Sequence, residues 1–457
     1  MLISLIAAAS LATAAPTFSE KPCADARLAK VARCGTVEVP EDRTSSGSRV
    51  VPLNVIVLRA AAPKPDMPPL FDIDGGPGLP ATKNAEFYLS FGAAYRARRD
   101  IVLVDQRGTG ASNPLNCPEL DASETSYIEM FPADAVARCR EALSRTADIT
   151  RYGTSEAVAD LDAVRAALGH PRIDIFGLSY GTTVALHYLS TYPERVRAAV
   201  LMGVAPPDAM SPRYHAVAGQ RALDLLFEDC AADPSCHAAF PDPVEDFDRA
   251  LVRLGQGSEL SAEIFAEKLR TLMYSPKTAR GIPFILSRAA EGDLAPFHEA
   301  TRPRERMPYS NGMFLSVTCA EGIARMPFDD AVRAARATKF GDYRLRRQRQ
   351  ACGEWLIDPV AAEHPAPIRS DSAVLLISGR LDPVTPPEWA EQVKQSLPNA
   401  RHLVIPAGGH ILDGLSGADT CFDPIILKFF ESGDARSLDA TCLDAMRPPP
   451  FKLPDAR

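Results

Sequence analysis

Ile173-Asp174-Ile175-Phe176-Gly177-Leu178-Ser179-Tyr180-Gly181-Thr182-Thr183-Val184-Ala185-Leu186-His187-Tyr188-Leu189 is the stretch that decides the fold. Ile173 to Phe176 is short and mostly apolar, as a buried strand is. Thr182 to Leu189 reads as a helix. Between them lies a G-x-S-x-G at residues 177–181. A strand that turns sharply into a helix holds the central Ser in a strained backbone and exposes its hydroxyl. Side chains at the flanking positions would strike the neighbouring strand and helix, so glycine is required there. The helix N-terminus favours negative charge beside the Ser. Ser179 therefore reads as a nucleophile on an elbow.

Outward from the elbow, short apolar runs alternate with helical patterns. The runs are Leu70–Asp74, Ile101–Asp105, Ala198–Met202, Ala373–Ser378 and His402–Ile405. Continuous apolar runs suit strands covered on both faces, and helices between them imply a mostly parallel sheet. Residues 34–41 and 49–59, separated by a Ser/Gly turn, read as an antiparallel hairpin. The alternation stops between Pro206 and Pro367, where Arg221–Phe227, Val244–Leu254, Ala262–Met273, Ile282–Ala290 and Ala331–Ala337 read as helices. Proline pairs bracket this stretch, Pro206-Pro207 and Pro365-Ala366-Pro367, and the sheet pattern resumes at Ala373. The expected division is 1–15 signal peptide, 16–205 first part of an α/β core, 206–368 mainly helical cap insertion, and 369–457 second part of the core.

A serine hydroxyl needs a base, and the base needs a group that orients it. In strand–helix folds of this order the acid and the histidine follow the serine. Asp382 stands just beyond the 373–378 run, and His410 stands in the loop after the 402–405 run. Both therefore sit at strand C-terminal ends, where open α/β sheets keep their sites. His402 lies inside a strand and His187 in the helix after the elbow, while His215, His237, His298 and His364 fall in the insertion. Asp371 precedes its strand, at the wrong end. An oxyanion needs two donors. Tyr180 N–H, next after the nucleophile, is one. Gly76, in Gly75-Gly76-Pro77-Gly78 after the Leu70–Asp74 run, is the other.

These motifs, with Asp105-Gln106-Arg107-Gly108-Thr109-Gly110-Ala111-Ser112, resemble those of the α/β-hydrolase serine aminopeptidases, the proline iminopeptidase and tripeptidyl aminopeptidase group. Leu381 to Pro386 and the region from Cys421 to Cys442, with an amphipathic helix at Pro424–Phe430, are similar to the secreted tripeptidyl aminopeptidase branch. The resemblance covers nearly the whole chain after the leader and is weakest in the insertion. It implies an α/β-hydrolase fold: a mostly parallel central sheet flanked by helices, with an inserted mainly helical cap. It also implies a peptide substrate, release of one or a few residues from a free N-terminus, and no cofactor. Dehalogenase and epoxide hydrolase readings fail because those relatives supply Asp as nucleophile. The same motifs occur in relatives with esterase activity. A carboxylesterase using the same triad is therefore the alternative, and a non-catalytic binding protein of this fold is a third reading.

An enzyme that selects a free N-terminus needs a carboxylate near the site to meet the ammonium. Thr318-Cys319-Ala320-Glu321 resembles an acid-bearing segment of the tripeptidyl branch, so Glu321 is the candidate amine anchor, with Glu299 as second choice. Arg107 is expected to be structural, paired with Asp105 or a neighbouring carboxylate. Gly108-x-Gly110 is not a dinucleotide fingerprint, because Asn113 stands at the third glycine position.

Composition narrows the partners. The 457 residues are 46% hydrophobic and 24% charged, ordinary for a globular protein. A formal charge of −8 is a poor match for nucleic acid. The start, MLISLIAAASLATAA, reads as an export signal with a cleavage site at Ala12-Thr13-Ala14. No later run is long and apolar enough to span a membrane. The ten cysteines, Cys23, Cys34, Cys117, Cys139, Cys230, Cys236, Cys319, Cys352, Cys421 and Cys442, suggest disulfides in an exported chain, periplasmic or secreted. Their connectivity is not fixed by sequence, and sequential pairing is the simplest arrangement. Zinc spacing is missing, so no metal site is expected.

Overall fold

The computed structural model describes residues 16–125, 127–257, 260–302, 308–359 and 368–454. The expected signal segment 1–15, the Pro365–Pro367 bracket and His364 lie outside the described residues.

The centre is a nine-stranded sheet in the order β1-β2-β3-β5-β4-β6-β7-β8-β9. The strands are β1 Phe18–Lys21, β2 Ala32–Pro40, β3 Val50–Leu58, β4 Leu70–Ile73, β5 Ile101–Val104, β6 Ile173–Leu178, β7 Val196–Met202, β8 Ala373–Gly379 and β9 Ala400–Ile405. β1 to β3 and the β3–β5 pair are antiparallel, and the block from β5 to β9 is parallel. Every residue of β4 and β5 is buried, because helices cover both faces. Successive side chains alternate between two cores. Phe71, Val102, Ile175 and Leu376 pack on one face, and Leu70, Leu103, Val200 and Leu375 on the other. The hairpin is present as β2 and β3. β1 was not legible in the sequence: Phe-Ser-Glu-Lys shows no apolar alternation, and the strand is held at the edge by its ladder to β2 and by the nearby Cys23–Cys34 bond.

Between β7 and β8 the described residues form helices and no strand. The helices from His215 to Ala300 share a core of their own around Phe247, Phe265, Phe297 and Leu286. The later helices differ. Met313, Phe314 and Leu315, from Asn311–Val317, and Ala351 and Trp355, from Tyr343–Trp355, join the core of the sheet. This stretch therefore fastens the helical region to the sheet. The Thr318–Ile323 turn that follows Val317 is a π-helix.

All ten cysteines are paired in sequential order, Cys23–Cys34, Cys117–Cys139, Cys230–Cys236, Cys319–Cys352 and Cys421–Cys442. Each closes a short loop, and such bonds typically add about 2–4 kcal/mol by restricting the unfolded chain. Among the described residues no helix is long and apolar enough to cross a membrane.

Candidate active site

The turn after β6 has the strain its glycines foreshadow. Ser179 sits at φ 56°, ψ −124°, and the helix Tyr180–Thr191 begins immediately after it. Its N–H is tied to Met202 O at 2.9 Å, at the end of β7. A Cβ on Gly181 would lie 2.1 Å from Ile73 O in β4, so no side chain fits there. That contact brings the elbow against the loop after β4. Gly76 in that loop has φ +112°, a region open to glycine and strained for other residues. Ser179, Tyr180, Gly76 and His410 line one cavity of about 440 Å³. Tyr180 is the first helical residue, so its N–H has no acceptor within the helix.

Asp382 and His410 meet beyond β8 and β9. His410 Nδ1 is 2.8 Å from Asp382 Oδ2, and both residues are buried. Asp382 also accepts from Val384 N at 2.9 Å, Thr385 N at 2.8 Å and Thr385 Oγ1 at 2.6 Å. A carboxylate held by this many donors cannot swing, so it fixes the imidazole ring. With Nδ1–H given to Asp382, Nε2 is left as the basic nitrogen. The Tyr274 ring meets the His410 ring edge-on at 4.9 Å, and Tyr274 O accepts the Ile411 N–H at 2.9 Å. The helical region thus holds the histidine loop. Thr385 and Tyr274 were missed in the sequence. Thr385 lies three residues after Asp382, a spacing that suits a hydroxyl bonding back to a carboxylate.

Glu321 lines the same cavity. It accepts from Thr154 N at 2.7 Å and from Thr154 Oγ1 at 2.7 Å. Thr154 opens the helix Thr154–Ala167, so the carboxylate caps a positive helix end. Tyr180 Oη lies 2.8 Å from Thr154 Oγ1, which links Glu321 to the residue after the nucleophile. Burial pushes the Glu321 carboxyl above its usual range, against the Thr154 hydrogen bonds, and Glu156 adds to the rise. The carboxylates of Glu156 and Glu321 both lie 3.2 Å from the place a Cβ on Gly153 would occupy. Neither forms an ion pair among the described residues. Thr154 and Glu156 carry no sequence motif and were missed. Glu299, the second choice, is 3.9 Å from Lys452 and does not line the cavity.

Arg107 is structural, but Asp105 is not its partner. Its guanidinium forks onto Asp160 at 2.7 Å through both Nε and Nη2. Asp105 turns instead to Asn54, Thr82 and the Ala111 N–H.

Behind the Gly75–Gly78 loop, Asp72 accepts from Asn84 Nδ2 and Tyr88 Oη, both at 3.0 Å. Burial, reinforced by the charge on Asp74, pushes its carboxyl up to about 7. The folded state therefore holds this proton more tightly than the unfolded chain. The resulting stability is complete below the ordinary carboxylate pKa and is lost as pH rises through 7. Asp72→Asn removes the dependence. Relative to wild type, the variant is expected to gain about 2–3 kcal/mol between pH 5 and pH 8. Urea unfolding at the two pH values measures this, and an unchanged difference would contradict the assignment.

Comparison with known proteins agrees with this architecture. Residues 70–229 match the alpha/beta hydrolase fold family, and residues 336–442 match the TAP-like protein family. Serine protease Hip1 of Mycobacterium tuberculosis is 24% identical over 468 residues, covering 90% of this chain and 87% of that one. Tripeptidyl aminopeptidase of Streptomyces coelicolor is 24% identical over 496 residues, covering 97% and 89%. Carboxylesterase B of Mycobacterium tuberculosis is 27% identical over 485 residues, covering 94% and 90%. The chain has the α/β-hydrolase fold and is a serine hydrolase, and its residues 336–442 are similar to the TAP-like protein family.

Proposed function

We propose that this protein is an exported serine aminopeptidase that releases one or a few residues from the free N-terminus of peptides. Glu321 carries the reading: a largely buried carboxylate in the cavity of the candidate nucleophile that forms no ion pair among the described residues. A substrate ammonium would pair with it and favour its ionised form. Two relatives bear peptidase names, serine protease Hip1 and tripeptidyl aminopeptidase, which supports a peptide substrate. The five disulfides support an oxidising compartment outside the cytoplasm. In this reading residues 206–368 form the cap between the two parts of the core, and the cap delivers Glu321 and Tyr274 to the site.

The chemistry is acyl transfer. Ser179 Oγ attacks the scissile carbonyl while His410 Nε2 takes its proton, and Asp382 stabilises the imidazolium. Tyr180 and Gly76 N–H groups hold the oxyanion. His410 returns the proton to the leaving amine, and water then releases the acyl group from Ser179.

A chromogenic tripeptide amide and its N-acetylated twin test this. Losing a hydrogen bond to a charged group costs about 1.5–3 kcal/mol, or about 10- to 150-fold in kcat/KM. The free-amine substrate is expected to be preferred by that factor, and Glu321→Gln is expected to remove the preference. Equal cleavage of both by wild type would overturn the anchor. The carboxylesterase reading, favoured by the 27% identity to carboxylesterase B, is supported instead if neither amide is cut and short acyl esters are.

A further inference from the structure

The cavity has a second charged wall that the proposed mechanism does not use. It is built from three helices, His215–Ala232, Ala262–Leu272 and Tyr343–Trp355. Arg270 is fully buried, pairs with Glu267 at 2.7 Å through Nη2 and faces the Tyr274 ring. Arg344 pairs with the same Glu267 oxygen at 2.6 Å and reaches Gln348 at 3.1 Å through Nε. One carboxylate thus serves two guanidinium groups. Burial pushes the Glu267 carboxyl up, but Arg270 and Arg344 overcome this and hold it at about 2, so it is fully ionised and fully used. A net positive charge remains.

His215 stands beside this group and lines the cavity with Arg344. It is only 8% exposed, its Nε2 lies 3.2 Å from Ser211 Oγ, and its Nδ1 has no hydrogen-bond partner among the described residues. Gln348 Nε2 is likewise buried and without a hydrogen-bond partner among the described residues. Burial, then Arg344, Arg270 and His410, hold the His215 imidazole well below its usual pKa. Buried N–H donors and charge left without acceptors are costly, and such groups are normally matched. Of this group His215 and Arg344 line the cavity, and an anion entering it would meet both.

The Glu321 carboxylate and this wall have different charged neighbours, although Gly322, next to Glu321, packs on Ser211 O. The charged neighbours of Glu321 are Glu156 and Arg325, whereas those of His215 are Arg344, Arg270 and His410. Arg270 also lies 5.7 Å over the Tyr274 ring, whose edge packs on His410. The cationic wall therefore stands on the histidine side of the cavity, and the carboxylate pair stands on the Tyr180 side.

We propose that the Arg344–His215 wall binds a carboxylate of the substrate, so that the enzyme selects peptides with an acidic group across the scissile bond from the ammonium. The carboxylate can be an Asp or Glu side chain or a free C-terminus. This proposal rests on the peptidase reading given above.

Two peptide pairs separate the possibilities. Ala-Ala-Ala-Glu-Ala-amide against its Gln twin reads the side chain, and penta-alanine acid against its amide reads the C-terminus. Cleavage is followed by mass spectrometry. In wild type the acidic member of at least one pair is expected to have a kcat/KM at least tenfold higher. In Arg344→Gln that ratio should fall to within twofold, and Arg344→Lys should keep most of it. Glu267 retains Arg270 in both variants, which protects the fold, and the wild-type comparison needs no variant. Equal rates within both pairs would overturn the carboxylate site while leaving the peptidase reading in place, as would a preference that survives Arg344→Gln. No cleavage of any peptide would overturn the peptidase reading instead. Calorimetric binding of the four peptides to Ser179→Ala then decides the wall alone: tenfold tighter binding of an acidic member supports it, and equal binding overturns it.

Discussion

Ser179→Ala is expected to lower kcat/KM on any cleavable amide or ester by on the order of 10⁴–10⁶-fold, the scale on which triad members act as a unit. The fold should survive. Ser179 holds its φ of 56° through the β6-to-helix turn and through its N–H bond to Met202 O, and neither depends on the hydroxyl. Alanine meets the same backbone strain that serine does. Asp382→Asn is a different experiment. Its Oδ2 accepts from both Thr385 Oγ1 and His410 Nδ1, and an amide placed there can present an N–H where an acceptor is needed. The wrong tautomer of His410 follows, with a loss of about 10⁴. The two variants should therefore both inactivate, Ser179→Ala with unchanged unfolding behaviour and Asp382→Asn with a weakened 382–385 turn. Steady-state rates and thermal melts measure both. Retention of more than a hundredth of wild-type activity in Ser179→Ala would place the nucleophile elsewhere.

The sequence carried what is local. The elbow could be read because two glycines flank Ser179 within one turn, and steric need alone places them there. The parallel strands could be read because burial on both faces leaves continuous apolar runs. Asp382 and His410 could be placed because strand ends are where this sheet exposes side chains. What escaped is what the chain brings together from afar. Thr154 reaches Glu321 across 167 positions, and no spacing rule connects a helix start to a π-turn in another region. His215 and Arg344 look like ordinary helix residues until the cavity is seen. Arg107 was expected to pair with Asp105 or a neighbouring carboxylate, and nothing in the sequence singled out Asp160. The loop instead turns the two side chains apart, Asp105 toward Thr82 and Arg107 toward the Thr154–Ala167 helix. The helix Asn311–Val317 has an apolar run consistent with the helical region, yet it packs on the sheet. Composition says that such a helix is buried, but not which core buries it.

Arg107 gives the largest expected stability effect. Its side chain is fully buried, and Nη1 also donates to Glu41 O and Arg151 O, both at 2.8 Å. Removing it strands Asp160 in the interior with Arg43 as its remaining cation and strands the two carbonyls as well. Breaking a buried pair by deleting one partner costs about 3–5 kcal/mol, because the surviving charge has lost its counter-ion. Arg107→Met is expected to fall in that range by urea unfolding. Arg107→Lys should recover little, since an ammonium cannot fork onto both oxygens of Asp160 while also serving two carbonyls. The double variant Arg107→Met/Asp160→Leu should be more stable than Arg107→Met alone, because the stranded carboxylate is gone. A cost below about 1 kcal/mol for Arg107→Met would mean that Asp160 is satisfied without it. The double variant also separates two roles that a single substitution confuses. If Arg107 acts only through packing and charge, the double variant should regain catalysis along with stability. If the guanidinium also fixes the 105–112 loop, whose Asp105 bonds the Thr82 N–H at 3.0 Å beside the Gly75–Gly78 turn, stability should return while kcat stays low.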